Sequence, residues 1–203
     1  MMRLSLRSRR AVLALVAVAI GTWTLGAAGQ TKEDALLREG NSLMAKLQYE
    51  QALNAFGGAR SSTNARTRVR AGAGLVHAFL RLGMFREAAI MGADVAAKDP
   101  GLASALSVHA DALWAAGLFA EAETRYAQAL TLDRNDPGAR HGRARSLAAQ
   151  GKLDEALVEV QRALAEDARE PIYHYTLASI YEQRHQFKEA ADQLIRYIDL
   201  IPS

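Results

Sequence analysis

The chain has 203 residues, half of them apolar but only 6% aromatic, and no cysteine. Without cysteine there is no disulfide and no lipid-modified cysteine anchor, so packing alone must hold the fold. Its 25 basic side chains outnumber 22 acidic ones, yet four of the basic and none of the acidic lie in residues 1–29; the remainder holds 21 against 22, a formal charge of −1, which excludes nucleic-acid binding through bulk basicity.

Residues 1–29 stand apart from the rest. Arg3, Arg7, Arg9 and Arg10 form a basic start, Ala11 to Ile20 is an unbroken apolar run, and Ala27-Ala28-Gly29 offers a small-residue cleavage site. This pattern reads as a bacterial-type secretory signal peptide. The alternative is an uncleaved membrane anchor, since residues 11–28 carry no charge over 18 positions, near the lower limit of about 17–25 for a spanning helix. In that case the arginines would stay cytoplasmic and the remainder would still be outside. Ser8-Arg9-Arg10-Ala11-Val12-Leu13 also resembles a twin-arginine export signal, although ordinary signal peptides often carry adjacent arginines.

From residue 33 onward a short pattern recurs. Ala52, Ala88, Ala122, Ala156 and Ala190 are spaced by 36, 34, 34 and 34 residues. Around them stand Gly83-Met84-Phe85-Arg86-Glu87-Ala88, Gly117-Leu118-Phe119-Ala120-Glu121-Ala122 and Gly151-Lys152-Leu153-Asp154-Glu155-Ala156, with Leu47 to Ala52 and His185 to Ala190 as looser copies. The glycine predicts the end of a first helix, because it takes a left-handed cap conformation without a Cβ penalty. The Phe, Leu or Tyr two residues later starts a second helix and plugs the space between the pair. The acid that follows favours the positive end of that helix. The alanine is small because two helices must cross closely there. Twelve residues before each alanine come Gly40, Val76, Ala110, Ala144 and Ala178, and nine before come Leu43, Phe79, Leu113, Leu147 and Tyr181. Seven after come Ala59, Val95, Ala129, Ala163 and Tyr197, and prolines at 100, 137, 171 and 202 separate one unit from the next. No segment alternates like a strand, so an all-α fold is expected.

These residues resemble the tetratricopeptide repeat (TPR) family over about residues 33–202. The resemblance implies a right-handed solenoid of about five antiparallel helix-turn-helix units, near 33–66, 69–102, 103–136, 137–170 and 171–203. Three departures stand out. The tryptophan that often opens the family's first helix is replaced by Leu36, Gly72, Leu106, Arg140 and His174. The first spacing carries two extra residues, expected around Ser61 to Asn64. The second unit has Gly92 where the others place Phe56, Tyr126, Val160 or Leu194, which predicts looser packing there.

No catalytic motif emerges. There is no Gly-x-Ser-x-Gly elbow and no phosphate-cradling loop, and Gly72-Ala73-Gly74 reads as small residues at a helix crossing. His77, His109, His141 and His174 recur at 32, 32 and 33 residues, short of the repeat, so they drift around the helices and are expected to be surface or partly buried side chains rather than a metal site. Arg60, Arg66, Arg68 and Arg70 form a local basic cluster, read either as a solvated inter-repeat loop or as a site for an acidic peptide or anionic lipid. Glu121 with Arg125, and Glu155 with Glu159, read as solvated helix surface. Neither enzyme activity nor a metal or cofactor is expected.

The functional surface of such arrays is the concave groove lined by first helices, which implies a protein or peptide partner. Phasing against the alanine column turns Asn41, Arg70, His77, Asp111, Trp114, His141, Arg145, Tyr175 and Ser179 towards it, with Trp114 and Arg145 the leading pair; the other reading of Trp114 is core filling between the third and fourth units. A lysine–asparagine clamp for C-terminal carboxylates, found in some relatives, is matched only at Asn41, with Leu37 and Gly74 at other clamp positions. The expected role is an exported scaffold in the periplasm or cell envelope. Two rival expectations are the docking portion of a larger enzyme or envelope complex, and a homo-oligomer joined through the last helix, where Tyr197, Ile198, Leu200 and Ile201 lack a polar capping helix.

Overall fold

The computed structural model describes residues 32–201, which are helices joined by tight turns with no strand among them. In chain order they are α1 (32–45), α2 (Tyr49–Ala59), α3 (Ala65–Arg81), α4 (Phe85–Lys98), α5 (Ala103–Ala115), α6 (Phe119–Leu132), α7 (Pro137–Ala149), α8 (Leu153–Glu166), α9 (Pro171–Gln183) and α10 (Phe187–Leu200). The segments read as signal or anchor, and Pro202, lie outside the described residues. No described helix is long and apolar enough to cross a membrane.

The turns within each pair have one geometry. Gly83, Gly117 and Gly151 take φ of 74°, 79° and 76°. Behind each, two backbone N–H groups close onto the end of the first helix, as Gly117 N on Trp114 O and Leu118 N on Leu113 O, a Schellman cap. Leu47 and His185 make the same two bonds at φ of 61° and 60°, where a Cβ is strained. Between pairs, Asp136 caps α7 by accepting from Gly138 N and Ala139 N with Pro137 in the first turn, and Asn64 caps α3 by accepting from Thr67 N.

Packing follows the columns. The five repeated alanines are buried at the crossings, as are Gly40, Val76, Ala110, Ala144 and Ala178. The bulky partners fit against small residues. A Cβ on Gly40 or Gly74 would stand 2.5 or 2.6 Å from the Phe56 ring, one on Gly72 would meet Val95 Cγ2 at 2.3 Å, and one on Gly142 would meet the Tyr126 ring at 2.3 Å. Gly72-Ala73-Gly74 is therefore a crossing. Among α2–α10, each helix packs on the next, and successive first helices α3, α5, α7 and α9 also touch, whereas no two second helices do. The first-helix layer is thus the inside of the curve.

Four expectations need correction. Gly92 does not loosen the second unit: an added Cβ would lie 3.0 Å from the Cα of His109 and 3.2 Å from the Cβ of Ala112, so its absence lets α4 approach the α5 backbone. Phe85 and Phe187 start their helices but are largely exposed rather than plugging the pair. Glu159 is not solvated; it is 6% exposed and held by Arg140, Arg143 and Arg162 at 3.3–3.5 Å, with Arg143 also on Glu123 at 2.9 Å. His141 and His174 are buried, rather than surface or partly buried residues. The extra residues near Asn64 enter an additional first turn of α3, which has 17 residues against 13 in α5, α7 and α9.

Candidate peptide groove

Two of the four arginines in the basic cluster, Arg60 and Arg68, hold helices together. Arg60 pairs with Asp94, and Arg68 bonds Asp99 at 2.6 and 3.3 Å while donating to the backbone of Ser62 and Thr63 at 3.0 Å. Arg66 and Arg70 are exposed. Desolvation of Asp94 opposes its ionisation, but Lys98 and Arg60 prevail and hold its carboxyl below the ordinary range.

Residues on three successive first helices meet on the inner face. Trp114 of α5 lies half-buried beside Phe119, ring centroids 6.0 Å apart, and also borders the α5–α6 core. Arg145 of α7 stacks its guanidinium on the indole, Cζ 3.9 Å from the ring centroid, a separation suited to cation–π attraction. These two, with Ala148, Ala149, Ile172, Tyr175, Thr176, Ser179, Ile180 and Gln183, line a half-open pocket of about 280 Å³. Of the residues phased towards the groove, the structure brings Trp114, Arg145, Tyr175 and Ser179 together in this pocket. The apolar wall was not anticipated, though Ile172 and Ile180 flank Tyr175 and Thr176 at helical spacing on α9 and could have been read from the sequence.

The other expected groove residues are differently placed. Asp111, one turn before Trp114, is half-buried and accepts the Tyr126 hydroxyl. Burial raises the Asp111 carboxyl above its usual range, and burial followed by Asp111 itself pushes the Tyr126 hydroxyl far up, so it stays a donor. His141 is only 8% exposed, its Nε2 2.8 Å from Thr176 Oγ1 and its ring 4.9 Å from that of Tyr173. Burial, then Arg145, lowers its pKa to about 4, leaving it neutral. It is part of the α7–α9 joint and supports the pocket floor through Thr176. His77 lines a separate hollow of about 390 Å³ with Met44, Tyr49 and Arg81. Asn41 and Arg70 are exposed outside these cavities. Among the described residues no three His, Asp or Glu gather as a metal site.

Residues 113–180 match the tetratricopeptide repeat family model. That stretch of the chain carries tetratricopeptide repeats. No curated protein sequence matches it. Among solved structures it is similar to TTC0263, a thermophilic TPR protein of Thermus thermophilus, with 23% identity, TM-score 0.74, and coverage of 84% of this chain and 92% of that one. Pseudomonas aeruginosa PilF gives 16% identity and a TM-score of 0.68 over 87% and 79% of the two chains. YrrB, a TPR protein described as having an unusual peptide-binding site, gives 23% and 0.55 over 86% and 90%. These likenesses establish the TPR solenoid fold.

Proposed function

We propose that this TPR array is an exported scaffold that binds a protein or peptide segment on its inner face, at the pocket between α5, α7 and α9. The observation that carries the reading is the Trp114–Arg145 stack opening onto an apolar pocket, since tryptophan and arginine in partly desolvated hollows are the residues that dominate interfaces. A peptide site on the similar fold of YrrB supports the ligand class. Export rests on the basic, apolar and small-residue succession of residues 1–29.

The test is affinity capture from a native envelope fraction by the 203-residue chain, beside the double variant Trp114→Ala, Arg145→Ala. A partner retained by the wild type and lost by a still-folded variant supports the groove; capture of the same partners by both removes it. A fusion of residues 1–29 to a reporter active only after export tests the compartment.

A second reading is favoured by α10. Phe187, Ile195 and Ile198 are 58–66% exposed on α10, which among α2–α10 packs only against α9. These exposed apolar side chains suit self-association. A monomer by light scattering at micromolar concentration removes it.

A further inference from the structure

Two donors in the groove are buried without a protein acceptor, and they are neighbours. Trp114 Nε1 and Arg145 Nε are both enclosed and unpartnered, on side chains stacked 3.9 Å apart. A buried donor lacking an acceptor is unfavourable and calls for an explanation. Arginine usage sharpens the point. Of the other half-buried arginines, Arg60, Arg68, Arg140, Arg143 and Arg184 each have a carboxylate partner and Arg125 donates to the Gln128 side-chain oxygen. Arg145, half-buried, makes no hydrogen bond or ion pair among the described residues, and the carboxylate of Asp111 is engaged by Tyr126. Its planar cation is held by the indole, with its terminal NH2 donors, not the enclosed Nε, left for an external acceptor.

The surroundings say what accompanies that acceptor. Ile172 and Ile180 form the apolar wall of the pocket. Tyr175 and Ser179 belong both to it and to an adjoining hollow of about 320 Å³ that runs over Phe187 and Leu194. The surface therefore continues past the pocket instead of ending there, which suits a chain passing through rather than a chain terminus.

Resting on the groove reading above, we infer that the pocket recognises an internal acidic–aliphatic peptide segment. A side-chain carboxylate, Asp or Glu, is received by the terminal NH groups of the Arg145 guanidinium, which the Trp114 indole holds in place. An adjacent aliphatic side chain lies on Ile172 and Ile180, and the segment continues over Tyr175 towards Phe187 and Leu194.

The probe is a library of random 12-residue peptides, each tethered at both ends within a carrier, selected on the 203-residue chain. The expected result is enrichment of Asp or Glu beside Leu, Ile or Val. For a selected peptide made with both ends blocked, Arg145→Gln in the protein and Glu→Gln in the peptide each weaken binding by about tenfold or more, the effect of losing a charged hydrogen bond, and do not add when combined. Arg145→Lys retains part of the affinity, and melting by circular dichroism checks each variant's fold. Selected peptides that lack acids, or that ignore Arg145→Gln while being lost on Trp114→Ala, overturn the acidic preference and leave the groove standing. An acidic preference found only in a parallel library with free C-termini overturns the internal carboxylate. If nothing is selected, or binding survives both Trp114→Ala and Tyr175→Ala, the groove reading falls as well.

Discussion

The α5–α6 pair and the α9–α10 pair have the same design but end in different environments. Both turn through a left-handed residue, Gly117 or His185, and both place an alanine five residues later at the crossing, Ala122 or Ala190. In α6, Tyr126 is 1% exposed and Ala129 fully buried, because α7 covers the side that α5 does not. In α10 the corresponding Leu194 is 40% exposed, and only Ala190 is buried. Nothing intrinsic to the helices makes this difference. Burial in a solenoid is conferred by the following unit, so one sequence column can be core in one copy and surface in another.

The largest effect should come from truncating the equivalent bulky residues. Tyr126→Ala removes a buried ring and leaves Asp111 without its donor, and is expected to cost about 3–5 kcal/mol. Leu194→Ala should cost below about 1 kcal/mol. Denaturant unfolding of both variants measures the gap. Comparable losses would mean that α10 is covered in solution by a second chain, and the comparison would then report assembly rather than position.

His141, on the interior helix α7, carries a perturbed titration. His141 is neutral when folded, with a pKa of about 4, whereas the unfolded chain takes up a proton near 6.5. The unfolded state therefore binds more protons below pH 6.5, and stability present above that value is lost as pH falls towards 4, by up to about 3 kcal/mol. Asp111, raised by burial, works in the opposite direction, so the informative quantity is the difference between wild type and His141→Gln. That difference should shift in the variant's favour as pH is lowered from about 7 to about 4.5. The exposed His185, replaced in the same way, is the control, and an equal shift there would remove His141 as the source.

A smaller contrast concerns the crossing alanines. Ala122→Leu has no room between α5 and α6 and is expected to cost about 1–3 kcal/mol. Ala190 borders the open hollow with Phe187 and Leu194. A leucine there can turn into it, so the loss should stay below about 1 kcal/mol. Equal melting temperatures for wild type and Ala122→Leu would defeat the close-crossing account altogether.

These contrasts show which part of the molecule could be read in advance. The alanine and glycine columns were legible because each reports a constraint within one helix pair, a close crossing or a left-handed turn, that holds wherever the pair sits. That Trp114, Arg145, Tyr175 and Ser179 lie on one face was legible for a similar reason, since a helical phase fixed within one unit carries to the next. What the columns could not convey was contact across units. His141 shares its phase with groove residues, yet Tyr173 and Thr176 of α9 close over it. Glu159, by contrast, is enclosed within its own unit, by Arg140 and Arg143 of α7, an ion-pair contact between paired helices that the columns do not track. Gly92 looks like a missing side chain, although it is the backbone of α5 that fills the space.

The smallest effect lies in the turns themselves, where the two pairs differ by a single atom type of consequence, the Cβ. At φ near +60° a side chain costs roughly 1–2 kcal/mol that glycine avoids, while glycine loses about 0.5–1 kcal/mol through the greater freedom of the unfolded chain. His185→Gly also gives up the edge contact of the imidazole with Phe187, centroids 5.9 Å apart, but both rings are exposed and little is lost. The balance is a gain of a few tenths to about 1 kcal/mol. Leu47→Gly, in the same cap geometry, should behave alike. Gly117→Ala must move the other way by about 1 kcal/mol, since nothing near its Cβ position would clash and only the backbone conformation opposes it. Thermal melts of the three variants test the sign directly. If His185→Gly destabilises while Gly117→Ala behaves as stated, the terminal turn is held by side-chain contacts that the interior turn does not need, and the two pairs differ in how they are closed as well as in what covers them.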